Sequence, residues 1–138
     1  CSRSMIDVHL KYKSSVMASM QVNKSTVSRW GIYNVSKRLS KSNYLISGVV
    51  EKPSIKDAPS NKAVIGRYIL PKTIFKKLKN QRSVNGGEIH ITDAIQSLIK
   101  DNENFIAHNF SGKYLDCGTM NGYINSGKKI GNLWNYAW

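Results

Sequence analysis

The order of apolar and polar positions predicts helices and strands that alternate along the chain. Met5, Ile6 and Leu10 lie on one broad side of a short helix that should begin near Ser4. Apolar runs bounded by polar or turn-forming residues predict five strands, at 16–22, 31–35, 44–50, 63–70 and 105–107. The polar segment between the second and third strands predicts a hairpin. The third strand should stop before Pro53, because proline cannot donate to a sheet ladder.

The second half of the chain predicts three helices. Pro71 suits the first position of a helix, where its missing N–H costs nothing, and Ile74 with Leu78 gives that helix an apolar stripe. Thr92 is predicted to cap the next helix. The inward-facing residues of that helix are Ile95, Leu98 and Ile99. A last helix is predicted over 118–138, although its glycines weaken it. Strands that alternate with helices indicate an α/β architecture.

Length and apolar content bound the class of protein. The chain has 138 residues, the size of one domain, and shows neither a repeat nor a domain boundary. No segment approaches the roughly 20 apolar residues that span a bilayer, and the start is not a signal segment, so a cytoplasmic location is expected. Cys1 and Cys117 are far apart in sequence and are expected to be reduced thiols.

A formal net charge of +13 raises the alternative of a basic module that binds nucleic acid. However, the sequence lacks the aromatic platforms or recognition helix that such modules add to their charge. A solvated basic surface is therefore the favoured interpretation. The basic residues form only a modest cluster, at Lys72, Lys76, Lys77, Lys79 and Arg82.

Glu51 and Lys52 lie next to each other at the end of a predicted strand. A carboxylate accepts hydrogen bonds from neighbouring sugar hydroxyls, and a lysine is a compact positive charge that suits phosphate. Neighbours on a regular strand point to opposite faces, so both reach one ligand only if the strand twists or ends between them. From composition alone, a solvated pair at a strand end is the more frequent case.

Asp116 follows the apolar pair Tyr114-Leu115 and precedes Cys117-Gly118. This pattern predicts an aspartate that leaves the end of a strand where a tight turn begins. Magnesium prefers one or two carboxylates together with phosphate oxygens and water, so Asp116 alone would be half of a site. An ordinary turn aspartate is the alternative.

Five segments together resemble a known family. In their order and spacing they resemble the C-terminal half of the bacterial UTP–glucose-1-phosphate uridylyltransferases, which belong to the sugar-nucleotidyltransferase family. The resemblance extends from about Met5 to Tyr123. The segments are GVVEKP at 48–53, APSN at 58–61, GRY at 66–68, GEIHITD at 87–93 and LDCG at 115–118.

The resemblance implies that residues 1–138 are the C-terminal fragment of one Rossmann-like nucleotidyltransferase domain, with a mixed sheet and flanking helices. The fragment would be the sugar-phosphate-binding half, without the nucleotide-binding half and its glycine-rich loop. Strands 16–22 and 44–50 would then have lost neighbours. The isolated chain is expected to associate through these strands, and to bind UDP-glucose weakly and lack activity.

The resemblance also implies roles for single residues. Glu51 would hold sugar hydroxyls, Lys52 would hold phosphate and stabilise charge in catalysis, and Asp116 would bind Mg²⁺. Gly31 would let backbone approach the sugar, and Val64 would touch it through its backbone. The implied reaction converts UTP and α-D-glucose 1-phosphate into UDP-glucose and pyrophosphate, in a protein expected to form homo-oligomers.

Some features depart from the uridylyltransferase pattern. Thr119 and Met120 replace an Asn-Lys pair, and Gly118-Thr119 is similar to the thymidylyltransferases, so thymidylyl transfer is the nearest alternative. Gly87 stands where the family often has an acidic residue. The segment 122–129 nearly matches a P-loop, but Lys129 stands where a magnesium-binding hydroxyl is required. The histidines show no metal-ligand spacing and are expected to be structural or exposed.

Overall fold

Helices and strands alternate in the computed structural model of the chain, which describes residues 1–81 and 89–133. The first helix, the five strands and the hairpin of the sequence analysis are confirmed, with ends that move by up to three residues. The predicted apolar side of the first helix is wrong in part, because Met5 and Val8 are buried whereas Ile6 and Leu10 are exposed. The elements are α1 (Ser2–Tyr12), β1 (Ser15–Gln21), a 3-10 helix (Lys24–Arg29), β2 (Gly31–Arg38), β3 (Asn43–Glu51), β4 (Lys62–Ile69), α2 (Thr73–Asn80), α3 (Ile91–Lys100), β5 (Phe105–Asn109) and α4 (Met120–Leu133).

Three predicted helix starts are wrong. Pro71 lies two residues before α2, which begins at Thr73. The Pro71 carbonyl accepts the Ile74 N–H at 3.0 Å, in the turn that leads into the helix. The extended backbone of His90 caps α3, so Thr92 lies inside that helix. The last helix starts at Met120 and not at residue 118, because the turn after Asp116 is still closing there. Its predicted extension over 134–138 lies outside the described residues.

The strands form a mixed sheet that closes on itself. Their order around the barrel is β1-β4-β2-β3-β5. The β1–β5 pair is parallel and the other pairs are antiparallel, which confirms the mixed sheet. Closure depends on a short contact, the single pair of Ile32 in β2 with Ala63 in β4.

This closure contradicts, for β1, the expectation that two strands have lost their neighbours. β1 pairs with β4 on one side and with β5 on the other, and β3 pairs with β2 along its length and with β5 over its first residues. Where β3 passes beyond β5, the Val49 N–H donates to Oε1 of Gln96 in α3 at 3.0 Å. β1 is therefore paired on both sides, whereas β3 beyond Ile46 has a strand partner on one side only. Association of the isolated chain stays a prediction.

Apolar side chains fill both faces of the sheet, which confirms the flanking helices. One cluster packs α1 against β1, β4 and β5, and the other packs α2 and α3 against the opposite face. The fully buried Tyr33 belongs to the second cluster, and its hydroxyl donates to the Ala18 carbonyl at 2.9 Å. The first cluster contains Met5, Val8, Val16, Ala18, Ile65 and Ile106. This layering leaves the ends of the strands as the places where polar groups converge.

His108 has the structural role expected for the histidines. Its Nδ1 lies 2.7 Å from Asn43 Oδ1 and its Nε2 lies 3.1 Å from Ser4 Oγ, so the ring joins β5 to β3 and α1. Burial lowers the pKa of His108, with a smaller contribution from the amino group of Cys1. The ring is therefore neutral at pH 7, and its Nδ1 donates to the Asn43 amide oxygen.

Two other expectations bear on the class of protein. Cys1 and Cys117 form no disulfide, as predicted, and both are exposed. Within residues 1–81 and 89–133, none of the helices is long and apolar enough to cross a bilayer.

Candidate active site

The first residue of β2 and the last residue of β3 face each other at one end of the hairpin. Gly31 is the register partner of Glu51. A Cβ atom on Gly31 would lie 2.9 Å from Glu51 Oε2 and 3.3 Å from Val64 Cγ2. The Glu51 carboxylate therefore lies over Gly31 and occupies the space that a side chain would take.

A cleft of about 270 Å³ opens beside this pair. The start of α3, at residues 90–92, forms one wall, and the end of the 3-10 helix with Trp30 forms another. The strand residues that line the cleft are Gly31, Glu51, Val64, Gly66 and Tyr68. Small-molecule sites measure roughly 300–1,000 Å³, so this cleft suits a ligand of about the size of one sugar.

Glu51 supplies the negative charge of the cleft. Its side chain is exposed and accepts no hydrogen bond from the residues that the structure describes. Burial raises the pKa of Tyr68, and the nearby charge of Glu51 raises that pKa further. The phenol is therefore protonated at neutral pH and remains a hydrogen-bond donor beside an unpaired carboxylate.

Lys52 stands immediately after the strand end, as expected. β3 stops at Glu51, and Lys52 has a left-handed backbone with a φ of 42°. Its N–H donates to the Trp30 carbonyl at 3.0 Å. The alternation that would direct neighbouring side chains to opposite faces therefore ends between these two residues. A left-handed backbone costs a lysine about 1–3 kcal/mol, and such strain concentrates at functional sites.

Asp116 lies in an irregular segment and not at the end of a strand, so that part of the prediction is wrong. β5 has already ended at Asn109. Asp116 Oδ1 accepts the Gly118 N–H at 3.0 Å, which is the geometry of a turn aspartate. The Tyr114 ring, two residues earlier, makes an edge contact with Trp30 at 5.3 Å between centroids. Through Trp30, the segment of Asp116 is attached to one wall of the cleft.

Comparisons with known proteins support the sequence resemblance. A profile of the nucleotidyl transferase family matches residues 2–132. The chain belongs to this family. A UTP–glucose-1-phosphate uridylyltransferase of Pseudomonas aeruginosa is 38% identical over 122 residues, which cover 88% of this chain and 43% of that protein. A putative UTP–glucose-1-phosphate uridylyltransferase of Methanocaldococcus jannaschii is 36% identical and is covered to 45%, with 94% of this chain aligned.

Solved structures lead to the same family. A UDP-glucose pyrophosphorylase in complex with UDP-glucose superposes with a TM-score of 0.85 at 38% identity, and the match covers 94% of this chain and 48% of that one. The apo form of a UDP-glucose pyrophosphorylase superposes with a TM-score of 0.88 at 38% identity, covering 94% of this chain and 47% of that one. This chain spans less than half the length of these relatives.

The structure brings some of the predicted site residues of this chain together and leaves others apart. Gly31, Glu51 and Val64 line one cleft. Lys52 is adjacent in sequence but is not among the lining residues, and neither is Asp116. Glu88 and Gly87 lie outside the described residues. The near-match to a P-loop lies within α4, and a helical segment cannot wrap a phosphate as that loop does.

Tyr68 and Trp30 line the cleft but were assigned no role from sequence. Tyr68 stands four residues after Val64 on the same strand, and residues at that spacing share a face. The shared face survives the bulge at Gly66, because the two extra residues of β4 leave the alternation in step. The wall formed by the start of α3 belongs to the segment GEIHITD at 87–93, which carried part of the resemblance, but only the folded chain brings residues 90–92 beside β4.

Gly31→Ala tests whether the missing side chain serves Glu51. The new methyl group should displace the carboxylate, which can yield because it ends a flexible side chain. We expect the KM for the sugar phosphate to rise several-fold in the intact protein, while the free energy of unfolding changes by less than about 1 kcal/mol. Steady-state kinetics and thermal denaturation are the measurements.

The control for this change is Gly127→Ala in α4, where an added Cβ meets nothing within 4 Å. Alanine in place of a helical glycine should stabilise the protein by about 1 kcal/mol and leave the KM unchanged. An unchanged KM in Gly31→Ala would contradict the positioning role of Gly31.

Proposed function

We propose that the intact protein containing this chain transfers a uridylyl group from UTP to α-D-glucose 1-phosphate. The observation that carries the proposal is the unpaired Glu51 carboxylate over Gly31, in a cleft of about 270 Å³ with the strained Lys52 beside it. The identity of 36–38% with relatives named as UTP–glucose-1-phosphate uridylyltransferases supports the choice of substrates.

The reaction is a displacement at phosphorus. A phosphate oxygen of glucose 1-phosphate attacks the α-phosphorus of UTP, and the bond from that phosphorus to pyrophosphate breaks. The products are UDP-glucose and pyrophosphate, with no covalent intermediate on the protein. In such chemistry the protein mostly positions groups and stabilises charge. Glu51 would hold the sugar hydroxyls, and the ammonium group of Lys52 would stabilise the negative charge that develops on phosphate oxygens.

Residues 1–138 would form the sugar-phosphate-binding half of the domain. Two observations support this division. The chain aligns with less than half of each relative, and its cleft has room for a sugar but not for a whole nucleotide sugar. A partner segment with a nucleotide-binding loop would supply the other half of the site.

Asp116 would contribute one oxygen to a magnesium ion. Among residues 1–81 and 89–133 no group of three or more acidic, histidine or cysteine side chains can hold a metal. One oxygen of Asp116 is engaged by Gly118, and the second carboxylate oxygen remains for a cation. This fits magnesium, which takes one or two carboxylates and completes its shell with phosphate oxygens and water. When bound, the ion would neutralise phosphate charge.

The test of this function is product formation by the purified intact protein. With UTP and glucose 1-phosphate, phosphorus NMR should show UDP-glucose and equimolar pyrophosphate. The Gly118-Thr119 pair keeps thymidylyl transfer as the second candidate, so dTTP should be offered under the same conditions. A higher kcat/KM with dTTP than with UTP would reassign the nucleotide. If no pyrophosphate forms with either UTP or dTTP, both candidate functions are refuted.

Asp116→Asn should raise the magnesium concentration that gives half-maximal activity and lower the maximal rate. The amide keeps the shape of the side chain and its bond to Gly118 but removes the negative charge. Asp7→Asn, on the exposed side of α1, is the matched control and should leave the titration unchanged. A magnesium titration of Asp116→Asn that overlays the unmodified protein would leave Asp116 as a turn residue.

A further inference from the structure

Phe75 is a large apolar side chain that the fold leaves uncovered. It lies on α2 with 73% of its surface exposed, whereas its neighbour Ile74 is buried and Leu78 packs against the core. Ile74 and Leu78 therefore fix which side of α2 faces inward. Phe75 packs into neither of the two apolar clusters beside the sheet. Core packing thus does not account for an aromatic residue at this position.

Three lysines surround Phe75 on the outward side of the helix. Lys72, Phe75, Lys76 and Lys79 are spaced at i, i+3, i+4 and i+7, which places them along one line of a helix surface. Lys72 precedes α2 but already has a helical backbone, with φ −58° and ψ −26°, so the spacing holds there too. All four side chains are exposed. These four residues form the α2 stripe.

The charge of the α2 stripe is not compensated within the described chain. α2 contains no acidic residue. Within residues 1–81 and 89–133 the one ion pair joins Lys77, beside the stripe, to Asp101 at 2.6 Å. Lysines at i, i+3 and i, i+4 repel each other, and a positive charge at Lys72 opposes the helix dipole. The stripe therefore costs helix stability, and an anionic partner would remove that cost.

The surroundings of the α2 stripe fit a flat anionic surface better than a nucleic-acid strand. Single strands bind in positively charged grooves where successive bases stack on aromatic side chains. The stripe instead runs along a convex helix with one aromatic. The hollow beside α2, of about 300 Å³, has Asp101 and Glu103 in its wall together with Lys76 and Lys77. The phosphates of a strand in that hollow would meet two carboxylates, whereas a bilayer contacts only the protruding line of the helix.

We propose that the α2 stripe binds the surface of membranes that contain anionic lipids. The three ammonium groups lie among the phosphate head groups, and Phe75 enters the boundary between head groups and acyl chains. The association is peripheral and reversible, because it depends on one aromatic anchor and a few charges. The stripe shares no residue with the cleft at Glu51, so this inference is independent of the proposed function.

The experiment measures cosedimentation of the intact protein with vesicles. Vesicles of phosphatidylcholine and phosphatidylglycerol in equal amounts should bind the protein, and vesicles of pure phosphatidylcholine should not. Added salt should weaken the binding, because it screens exposed charges. The triple variant Lys72→Gln/Lys76→Gln/Lys79→Gln should bind the anionic vesicles about 100-fold more weakly, since each lysine near such a surface contributes about fivefold.

Phe75→Ala tests the apolar part of the contact. It should weaken binding to the anionic vesicles about tenfold, because an apolar group no longer leaves water on binding. Phe75→Leu keeps an apolar side chain and should stay within about threefold of the unmodified protein. Equal binding by Phe75→Ala and the unmodified protein would remove Phe75 from the contact and overturn the proposed geometry.

The matched control removes the same charge from other elements. Lys24, Lys41 and Lys56 are exposed and lie outside α2. The triple variant Lys24→Gln/Lys41→Gln/Lys56→Gln should bind the anionic vesicles within about threefold of the unmodified protein. The stripe variant should melt at the same temperature as the unmodified protein or higher, because repulsion within α2 is relieved. Its lost binding would then not come from unfolding.

Three results would overturn the proposal. The first is a failure of the unmodified protein to bind the anionic vesicles. The second is an equal loss in the two triple variants, which would show only the general attraction of a basic protein. The third is tighter binding to polyuridylate than to the anionic vesicles at the same salt, which would assign the stripe to nucleic acid. Transferase activity with UTP and glucose 1-phosphate should be the same in the stripe variant and the unmodified protein.

Discussion

Replacing Lys52 with alanine in the intact protein should lower kcat by about 100- to 1,000-fold. The ammonium group would stabilise negative charge that develops on phosphate oxygens in the transition state, and alanine offers nothing in its place. The KM for glucose 1-phosphate should change much less, because Glu51 still holds the sugar hydroxyls. Steady-state kinetics with both substrates varied gives the two constants separately.

The backbone of Lys52 provides an internal control. Its φ of 42° is easily adopted by glycine, so Lys52→Gly should melt at the same temperature as the unmodified protein or higher. Its kcat should nevertheless fall as far as that of Lys52→Ala. A Lys52→Gly variant that is more stable but less active would show that the strained backbone is retained because activity requires the lysine side chain.

Lys56→Ala controls for a general loss of positive charge. Lys56 is exposed, lies in the same loop and does not line the cleft beside Glu51. Its replacement should leave kcat unchanged. If Lys52→Ala and Lys56→Ala have the same small effect, Lys52 is only part of the solvated basic surface.

Glu51→Ala should reduce kcat/KM for glucose 1-phosphate by about 10- to 150-fold, mainly through KM. Hydrogen bonds to a charged acceptor contribute about 1.5–3 kcal/mol each, and without the carboxylate the sugar hydroxyls would lie unpaired in the cleft. Discrimination among sugar phosphates should weaken at the same time, because the hydroxyl pattern is no longer read. The measurement is kcat/KM for a series of hexose 1-phosphates.

Glu103→Gln is the control for the loss of one negative charge. Glu103 is exposed beyond the end of α3 and is not among the residues of the cleft. The two site residues should also differ in kind, with Glu51 acting on KM and Lys52 on kcat. Equal and negligible effects on both constants would remove both residues from the site.

Local features of the chain predicted the elements that carry the site. The apolar runs specified the five strands, because a half-buried strand requires apolar residues wherever it meets a core. Pro53 and the polar residues after it predicted that β3 ends at the Glu51-Lys52 pair, and it does. Helix starts were less predictable. His90 caps α3 through its extended backbone, and no side-chain signal marks such a cap.

Wider comparisons supplied what local patterns could not. A pair of residues at a strand end is usually solvated, and only the resemblance of several segments to one family gave Glu51 and Lys52 a function. The same resemblance implied that strands had lost neighbours. That expectation is wrong for β1, which pairs with β4 on one side and with β5 on the other.

The sequence by itself therefore determined the strands, the hairpin and the residue types at its end, since these depend on neighbours along the chain. Tertiary structure alone decided that the sheet closes, through the pairing of Ile32 with Ala63, and that Gln96 accepts the Val49 N–H of β3. It also brought Tyr68 and the start of α3 to the Glu51 carboxylate. Such contacts join residues far apart in sequence, and their geometry depends on bulges, packing and closure that no local pattern encodes.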